Sequence, residues 1–199
     1  SKFGQVQTFQ LMLDDPDLIA EVAMTYAELI VEAAKAYRRH GLDFDGGWQY
    51  GDVGYRNGLL FSPQCFRDLI KPANKTVCDY FNGIGKPVIL HSCGQIKSLI
   101  PDFIEIGYSG LNPLEAKCDQ DLRDLHPKYG KDLVWVGNFD VRKLSGTKEE
   151  VREEVLGKLE FLAENNGRLI FHSDHSLPTT VSYENYAYAL ELVRGLGGR

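Results

Sequence analysis

The pair His91 and Cys93, in the segment His91-Ser92-Cys93-Gly94, is the part of the sequence best suited to chemistry. The β-branched apolar run at 86–90 precedes it, and glycines on either side predict that this run is a buried strand. Because side chains two apart in an extended chain point the same way, His91 and Cys93 leave the strand on one face. An imidazole and a thiol so placed are ligands that zinc accepts. The alternative is a hydrogen-bonded histidine beside a small buried cysteine.

Strands and helices alternate along the rest of the chain. Four further strands are predicted, at 42–48, 108–111, 133–136 and 168–171. Apolar residues at three- and four-residue steps, with start signals at Ser62-Pro63 and a capping box from Thr147 to Glu150, predict helices at 17–40, 62–82, 96–106, 121–129, 147–165 and 182–196. Such alternation predicts a parallel sheet covered by helices, either doubly wound or a TIM barrel.

Polar residues follow every predicted strand, and this pattern favours the barrel. They are Asp45, His91, Cys93, Asn112, Asn138, Asp140, His172, Asp174 and His175. A TIM barrel gathers its active site at the carboxyl ends of its strands. Since a barrel needs eight strands and five are predicted, we expect a single domain over 1–199 that is a partial TIM (β/α)8 barrel lacking the first strands. Either those strands precede Ser1, or self-association covers the open edges as a homo-oligomer.

Composition excludes several classes of protein. The chain has 199 residues, of which 43% are hydrophobic, enough for a full core. The net charge of −6 does not indicate the basic surface that binds nucleic acid. No apolar run approaches the roughly 18 residues of a membrane span. Four cysteines at irregular spacings, without a secretory signal, predict free thiols in a cytoplasmic protein.

The loop at 49–57 is rich in stacking and reactive groups. Tyr50, Asp52, Tyr55 and Arg56 lie in it, directly after Trp48. The aromatic rings are suited to packing on a flat ligand. The alternative is an ordinary solvated connection between a strand and a helix.

Several short motifs together resemble the uroporphyrinogen decarboxylase superfamily, which includes the cobalamin-dependent methyltransferases. They are Ser62-Pro63 followed by Phe66 and Pro72, Gly110-Leu111-Asn112-Pro113, Gly137-Asn138-Phe139-Asp140, and the closing run from Pro178 to Asn185. The resemblance covers nearly the whole chain and implies the later part of a TIM barrel. For the decarboxylase branch it implies a metal-free barrel whose key acid and arginines belong to the region before Ser1.

For the methyltransferase branch, the resemblance implies a zinc site made by His-x-Cys and a third ligand, usually cysteine, from the last strand exit. His91 and Cys93 match the pair, but the last exit has His172, Asp174 and His175 and no cysteine. Counting from Ile170 favours His175 as the third ligand, whereas counting back from Pro178 favours Asp174. We take His91, Cys93 and His175 as the metal ligands.

Three ligands leave one position open, as in a catalytic zinc site. A thiol bound there becomes a thiolate, which is suited to attack a methyl group presented by a corrinoid. We assign catalytic roles to Asp52 and Asp174, and we assign substrate binding to Trp48, Tyr50, Asn138 and Asp140. The expected partners are a small-molecule substrate and a corrinoid protein.

Two other functions remain open from the sequence. One is decarboxylation of a tetrapyrrole, which needs arginines to bind carboxylates, and Arg56 is the arginine near a strand exit. The other is binding of a corrinoid or tetrapyrrole without turnover. The missing cysteine at the last strand exit argues for the second.

Overall fold

The structure, a computed structural model, describes residues 4–196. Seven strands are present in this range: β1 Gly47–Tyr50, β2 Gly54–Tyr55, β3 Gly58–Leu59, β4 Val88–His91, β5 Gly110–Asn112, β6 Val134–Val136 and β7 Leu169–Ile170. The α-helices are α1 Gln5–Asp14, α2 Pro16–Arg39, α3 Pro63–Cys65, α4 Lys71–Gly83, α5 Ile100–Ile106, α6 Leu122–Tyr129, α7 Val141–Leu144, α8 Lys148–Glu164 and α9 Tyr183–Leu196. A π-helical turn, Phe66–Ile70, joins α3 to α4.

Five strands form one sheet in the order β1-β4-β5-β6-β7, and β2 pairs with β3. The pairs β5–β6 and β6–β7 are parallel, with Leu111 opposite Trp135 and Trp135 opposite Leu169. The order of the strands in this sheet follows their order in the chain, whereas a doubly wound sheet reverses its order at a switch point. The predicted α/β fold of TIM-barrel type is therefore confirmed. Within residues 4–196, no helix is both long and apolar enough to cross a bilayer.

Several element boundaries differ from the prediction. The sequence predicts no helix before residue 17, whereas the structure has α1. The usual start signals are missing there, because the N-cap residue Gly4 makes no side-chain hydrogen bond and the first turn has no acidic residue. The predicted loop at 49–57 contains β2 and leads into β3. The capping box that opens α8 is present as predicted, with Thr147 and Glu150 each accepting a hydrogen bond from the other's backbone.

The described residues group into two compact units. The first comprises residues 4–49, 59–89 and 98–109, and the second comprises 50–58, 90–97 and 110–196. In the first unit α2 packs along α4, and the buried carboxylate of Asp102 forms ion pairs with Arg67 and Lys71. The single domain expected over 1–199 stays a prediction.

The second unit has an apolar core cluster to which α7, α8 and α9 contribute side chains. Its fully buried members are Phe139, Leu144, Val151, Val155 and Ala189. Beside it, Trp135 donates its indole N–H to Nδ1 of His126, at 3.1 Å, and His126 Nε2 lies 3.0 Å from the carbonyl oxygen of Asn165. Both ring nitrogens of His126 are therefore used in hydrogen bonds that hold the fold.

Two glycines bring the segment after β4 against β2 within the second unit. Gly94 has a φ of 80°, and a Cβ added there would lie 2.4 Å from the carbonyl carbon of Gly54 and 2.4 Å from the nitrogen of Tyr55. A Cβ on Gly54 would lie 2.9 Å from the carbonyl oxygen of Cys93. These neighbours are backbone atoms, so the two segments approach this closely only because neither residue has a side chain.

We expect Gly94→Ala to lower the free energy of unfolding much more than Gly85→Ala. Both glycines have positive φ, so each alanine costs about 1–2 kcal/mol in the left-handed region. Only at Gly94 does the new methyl group meet backbone, which adds roughly 1–3 kcal/mol of strain, since Gly85 has open space around it. Urea unfolding of both variants measures the difference, and equal losses would contradict the close approach.

Candidate functional site

His91 and Cys93 lie together at the end of β4, where two backbone–backbone hydrogen bonds and one to a side chain hold their segment. The N–H of Gly51 donates to the carbonyl of His91 at 3.0 Å, and the N–H of Ser92 donates to the carbonyl of Asn112 at 2.8 Å. The N–H of Cys93 donates to Oδ1 of Asp52 at 2.9 Å. The result is a distance of 3.5 Å between Nε2 of His91 and Sγ of Cys93.

Asn112 fixes the tautomer of His91. Its Oδ1 lies 2.6 Å from Nδ1 of His91, and its Nδ2 donates to the carbonyl of Val136. Because Oδ1 only accepts hydrogen bonds, Nδ1 carries the imidazole proton and Nε2 presents a lone pair towards Cys93. The ring of Tyr50 packs on the imidazole, with 4.5 Å between ring centroids. This is the arrangement of a metal-ligating histidine oriented by an outer partner.

Cys93 is shared by two groups of potential metal ligands. Asp52, His91 and Cys93 form one group, and Cys93, Glu115 and His175 form the other, with the ligand atoms of each group within 4.8 Å of one another. In the part of the chain that is described, these are the two groups of this kind. The ligands expected from the sequence, His91, Cys93 and His175, are thus distributed over both groups, and Cys93 connects them.

Glu115 is the ligand candidate that sequence reasoning missed. Its side chain is buried, with 5% of its surface exposed. Its Oε2 accepts hydrogen bonds from the N–H of Gly94 and from the thiol of Cys118, both at 3.0 Å, and its Oε1 lies 3.4 Å from Nζ of Lys117. Burial acts to raise the pKa of Glu115, but the thiol of Cys118, the charge of Lys117 and the Gly94 N–H together lower it. Glu115 is therefore a carboxylate at neutral pH.

The thiol of Cys93 faces negative charge. Burial, followed by the carboxylates of Asp52 and Glu115, raises the pKa of Cys93 to about 11. Without a cation the thiol therefore keeps its proton at neutral pH. A divalent cation would reverse this preference, because it stabilises a coordinated thiolate. Each group offers one sulfur, one imidazole and one carboxylate, which are ligands that zinc accepts.

Asp174 and Asn138, which the sequence placed in the site, are buried and hold loops. Asp174 accepts hydrogen bonds from the backbone N–H of Val141, at 3.0 Å, and of Lys117, at 3.4 Å, and burial raises its pKa. Asn138 accepts from the N–H of Leu122 at 2.9 Å and donates to carbonyls in the loop after β5. Their catalytic and substrate-binding roles stay predictions.

The remaining predicted residues lie in different environments. Asp140 accepts hydrogen bonds from the backbone and the guanidinium of Arg142 at the start of α7; although burial raises its pKa, these bonds lower it overall. Tyr50 is 73% exposed beside His91, and Asp52 is exposed. Trp48, 45% exposed, belongs to the first unit, whereas the other predicted site residues belong to the second.

A cavity of about 250 Å³ lies beside Cys93 in the second unit. Its lining residues are Gly54, Tyr55, Arg56, Cys93, Gly94, Glu115, Lys117, Cys118 and Arg142. Three of them are cationic, and two of these have carboxylate partners, because Lys117 pairs with Glu115 and Arg142 pairs with Asp140. The cavity thus gives a small molecule access to the thiol that both ligand groups share.

We expect Asp52→Asn to speed alkylation of Cys93 in metal-free protein. Removing this negative charge lowers the pKa of the thiol, and the amide oxygen still accepts the hydrogen bond from the Cys93 N–H. At pH 8 each unit of pKa lowered raises the rate about threefold, because the gain in thiolate exceeds its loss of nucleophilicity. Peptide mass spectrometry after iodoacetamide treatment with a chelator gives the rate for each cysteine. Asp132→Asn, at an exposed position of the same unit, is the control, and equal rates in both variants would contradict the electrostatic coupling.

Comparison with known proteins agrees with this fold. The model of the family described as uroporphyrinogen decarboxylase (URO-D) matches residues 1–196. Among solved structures, a methyltransferase from Methanosarcina mazei aligns with a TM-score of 0.63 at 22% identity, over 96% of this chain and 52% of that chain. The chain therefore spans about half the length of that structure. This likeness supports the fold.

Another structural match has a lower TM-score. A structure titled as a Xaa-Pro dipeptidase with bound methionine in the active site aligns with a TM-score of 0.41 at 14% identity, over 83% of this chain and 43% of that chain. A likeness of this size carries no argument about the site. No curated protein matches the sequence.

Proposed function

The chain belongs to the uroporphyrinogen decarboxylase family, and from this premise we propose that it is a zinc-dependent enzyme that activates a thiol for methyl transfer from a corrinoid. One observation carries the proposal: Cys93 belongs to two groups, each with one imidazole nitrogen and one carboxylate oxygen, and the ligand atoms within each group lie within 4.8 Å of one another. A methyltransferase among the solved structures with the same fold supports it.

His91 and Cys93 would hold the zinc, and His175, which lies with Glu115 in the other group around Cys93, would complete the site by moving towards His91. Bound zinc supplies the charge that keeps a coordinated substrate thiol deprotonated at neutral pH. Asn112 keeps the proton of His91 on Nδ1, so that Nε2 is available as a ligand. Asp52 holds the Cys93 backbone through its N–H, and Lys117 balances the charge of Glu115.

The volume of the cavity favours a small acceptor. Pockets for drug-sized ligands usually measure about 300–1,000 Å³. The space beside Cys93, about 250 Å³, suits a short thiol better than a tetrapyrrole. We propose that the corrinoid lies outside this cavity, delivered by a corrinoid protein, where the exposed rings of Tyr50 and Tyr55 offer faces for packing.

Metal content tests the site. We expect about one zinc per chain after reconstitution, since Cys93 is common to both ligand groups and one thiolate centre anchors one catalytic ion. Cys93→Ser should lose the zinc, whereas Cys65→Ser, at a partly buried cysteine of the first unit, should keep it. Inductively coupled plasma mass spectrometry measures the ratio. Wild-type protein that takes up no zinc, or equal zinc in both variants, would exclude this site.

Decarboxylation of a tetrapyrrole is the second candidate, favoured by the description of the matching family and by Arg56 in the wall of the cavity. A guanidinium there is suited to binding a carboxylate.

Two assays distinguish the candidates. Methylcobalamin with a small thiol should give the spectrum of demethylated cobalamin in wild-type protein, and Cys93→Ser should abolish this change. Uroporphyrinogen should stay intact in the same preparations. Formation of coproporphyrinogen that Arg56→Ala removes and Cys93→Ser leaves unchanged would establish the decarboxylase instead. Corrinoid binding without either product would mean that the chain binds without turnover.

A further inference from the structure

Gln120, a fully buried residue of the second unit, holds the backbone immediately after Cys93. Its Nε2 donates to the carbonyl of Gly94 at 2.8 Å, and its Oε1 accepts from the N–H of Ile96 at 2.7 Å. The amide thus satisfies one acceptor and one donor of a segment that belongs to neither a helix nor a strand. An ionised carboxylate at this position cannot do both, because it only accepts hydrogen bonds.

Both backbone polar groups of Gly94 are hydrogen-bonded to side chains. Glu115 accepts its N–H, and Gln120 donates to its carbonyl. Gly94 has a φ of 80°, and the chain bends there, directly after Cys93. Because Cys93 directly precedes this turn, a shift of the Gly94 backbone would also move the Sγ of Cys93 relative to Nε2 of His91.

Gln120 is itself held rigidly by Asn138. The side-chain amide of Asn138 donates to the backbone carbonyls of Gln120 and Leu114 and accepts from the N–H of Leu122. The buried ammonium of Lys158 donates to the carbonyl of Asn138 and pairs with Glu154. A continuous chain of hydrogen bonds between buried groups therefore runs from α8 to the turn after Cys93.

We propose that Gln120 is a positioning residue for the metal site, which sets the distance and direction between Cys93 and His91 through the Gly94 turn. The inference rests on the proposed function, because it assigns Gln120 a role in binding the same ion. Outer partners of this kind change metal affinity when they are removed, typically 10- to 100-fold, without touching the ion. A residue that only stabilised the fold would lower stability and leave the affinity of the folded protein unchanged.

Gln120→Glu tests this proposal, because it replaces only the side-chain amide by a carboxylate. The new carboxylate still accepts the Ile96 N–H, but its second oxygen faces the Gly94 carbonyl, which it repels instead of donating to it. We expect the dissociation constant for Zn²⁺ to rise about tenfold or more. In protein loaded with Co²⁺, we expect the thiolate-to-cobalt absorption band to weaken or move. Gln120→Met, which removes both hydrogen bonds without adding charge, provides a second variant.

Asn185→Asp is the matched control. Asn185 is also a buried amide of the second unit, and its Nδ2 donates to the carbonyls of Leu144 and Gly146. The same exchange of amide for carboxylate therefore destabilises the protein without reaching the turn after Cys93. Affinity is compared at a temperature where circular dichroism shows that all variants are folded.

The outcomes are distinguishable. Weaker zinc binding and an altered cobalt spectrum in both Gln120 variants, with Asn185→Asp like wild type, would support the inference. Unchanged affinity and spectrum in the Gln120 variants, or an equal change in Asn185→Asp, would overturn it while the proposed function stands. Wild-type protein that binds neither Zn²⁺ nor Co²⁺ would instead remove the proposed function, and the inference with it.

Discussion

The requirement that every buried peptide group has a hydrogen-bond partner determines how the strand exits of the second unit are built. These exits are irregular, so no helix or strand satisfies their backbone, and side chains from neighbouring exits do so instead. Gln120 serves the exit of β4, Asn138 serves the loop after β5, and Asp174 serves the loops after both β5 and β6. Among the described residues, no buried side-chain nitrogen or oxygen lacks a partner. Each exit therefore depends on the next for its conformation.

Electrostatics gives this framework its chemical character. Asp52 and Glu115 approach Cys93 from different loops, and their charges disfavour a free thiolate. Such an arrangement is unfavourable for a thiolate alone and becomes favourable once a cation binds beside Cys93. The two carboxylates that raise the pKa of Cys93 thus also belong to the two groups of potential metal ligands.

Sequence patterns predicted the sheet, the strand exits and the pairing of His91 with Cys93, because these follow from local periodicity and from the rule that parallel strands end at one edge. They did not reveal Glu115, since it reaches Gly94 and Cys93 only through the turn formed after β5, and no local pattern specifies that path. Asn138 and Asp174 show the converse difficulty. A polar residue after a strand has the same appearance in a sequence whether it faces a substrate or a neighbouring backbone, and only the fold distinguishes the two.

The contact between Gly54 and Gly94 has an evolutionary consequence. A side chain at either position meets main-chain atoms of the other segment, so no compensating substitution elsewhere restores the fit. The two positions are therefore expected to be lost or kept as a pair while the ligands around Cys93 diversify. In distant sequences, this pair of glycines would mark the architecture of the site even where histidine, cysteine or glutamate has been replaced and the chemistry has changed.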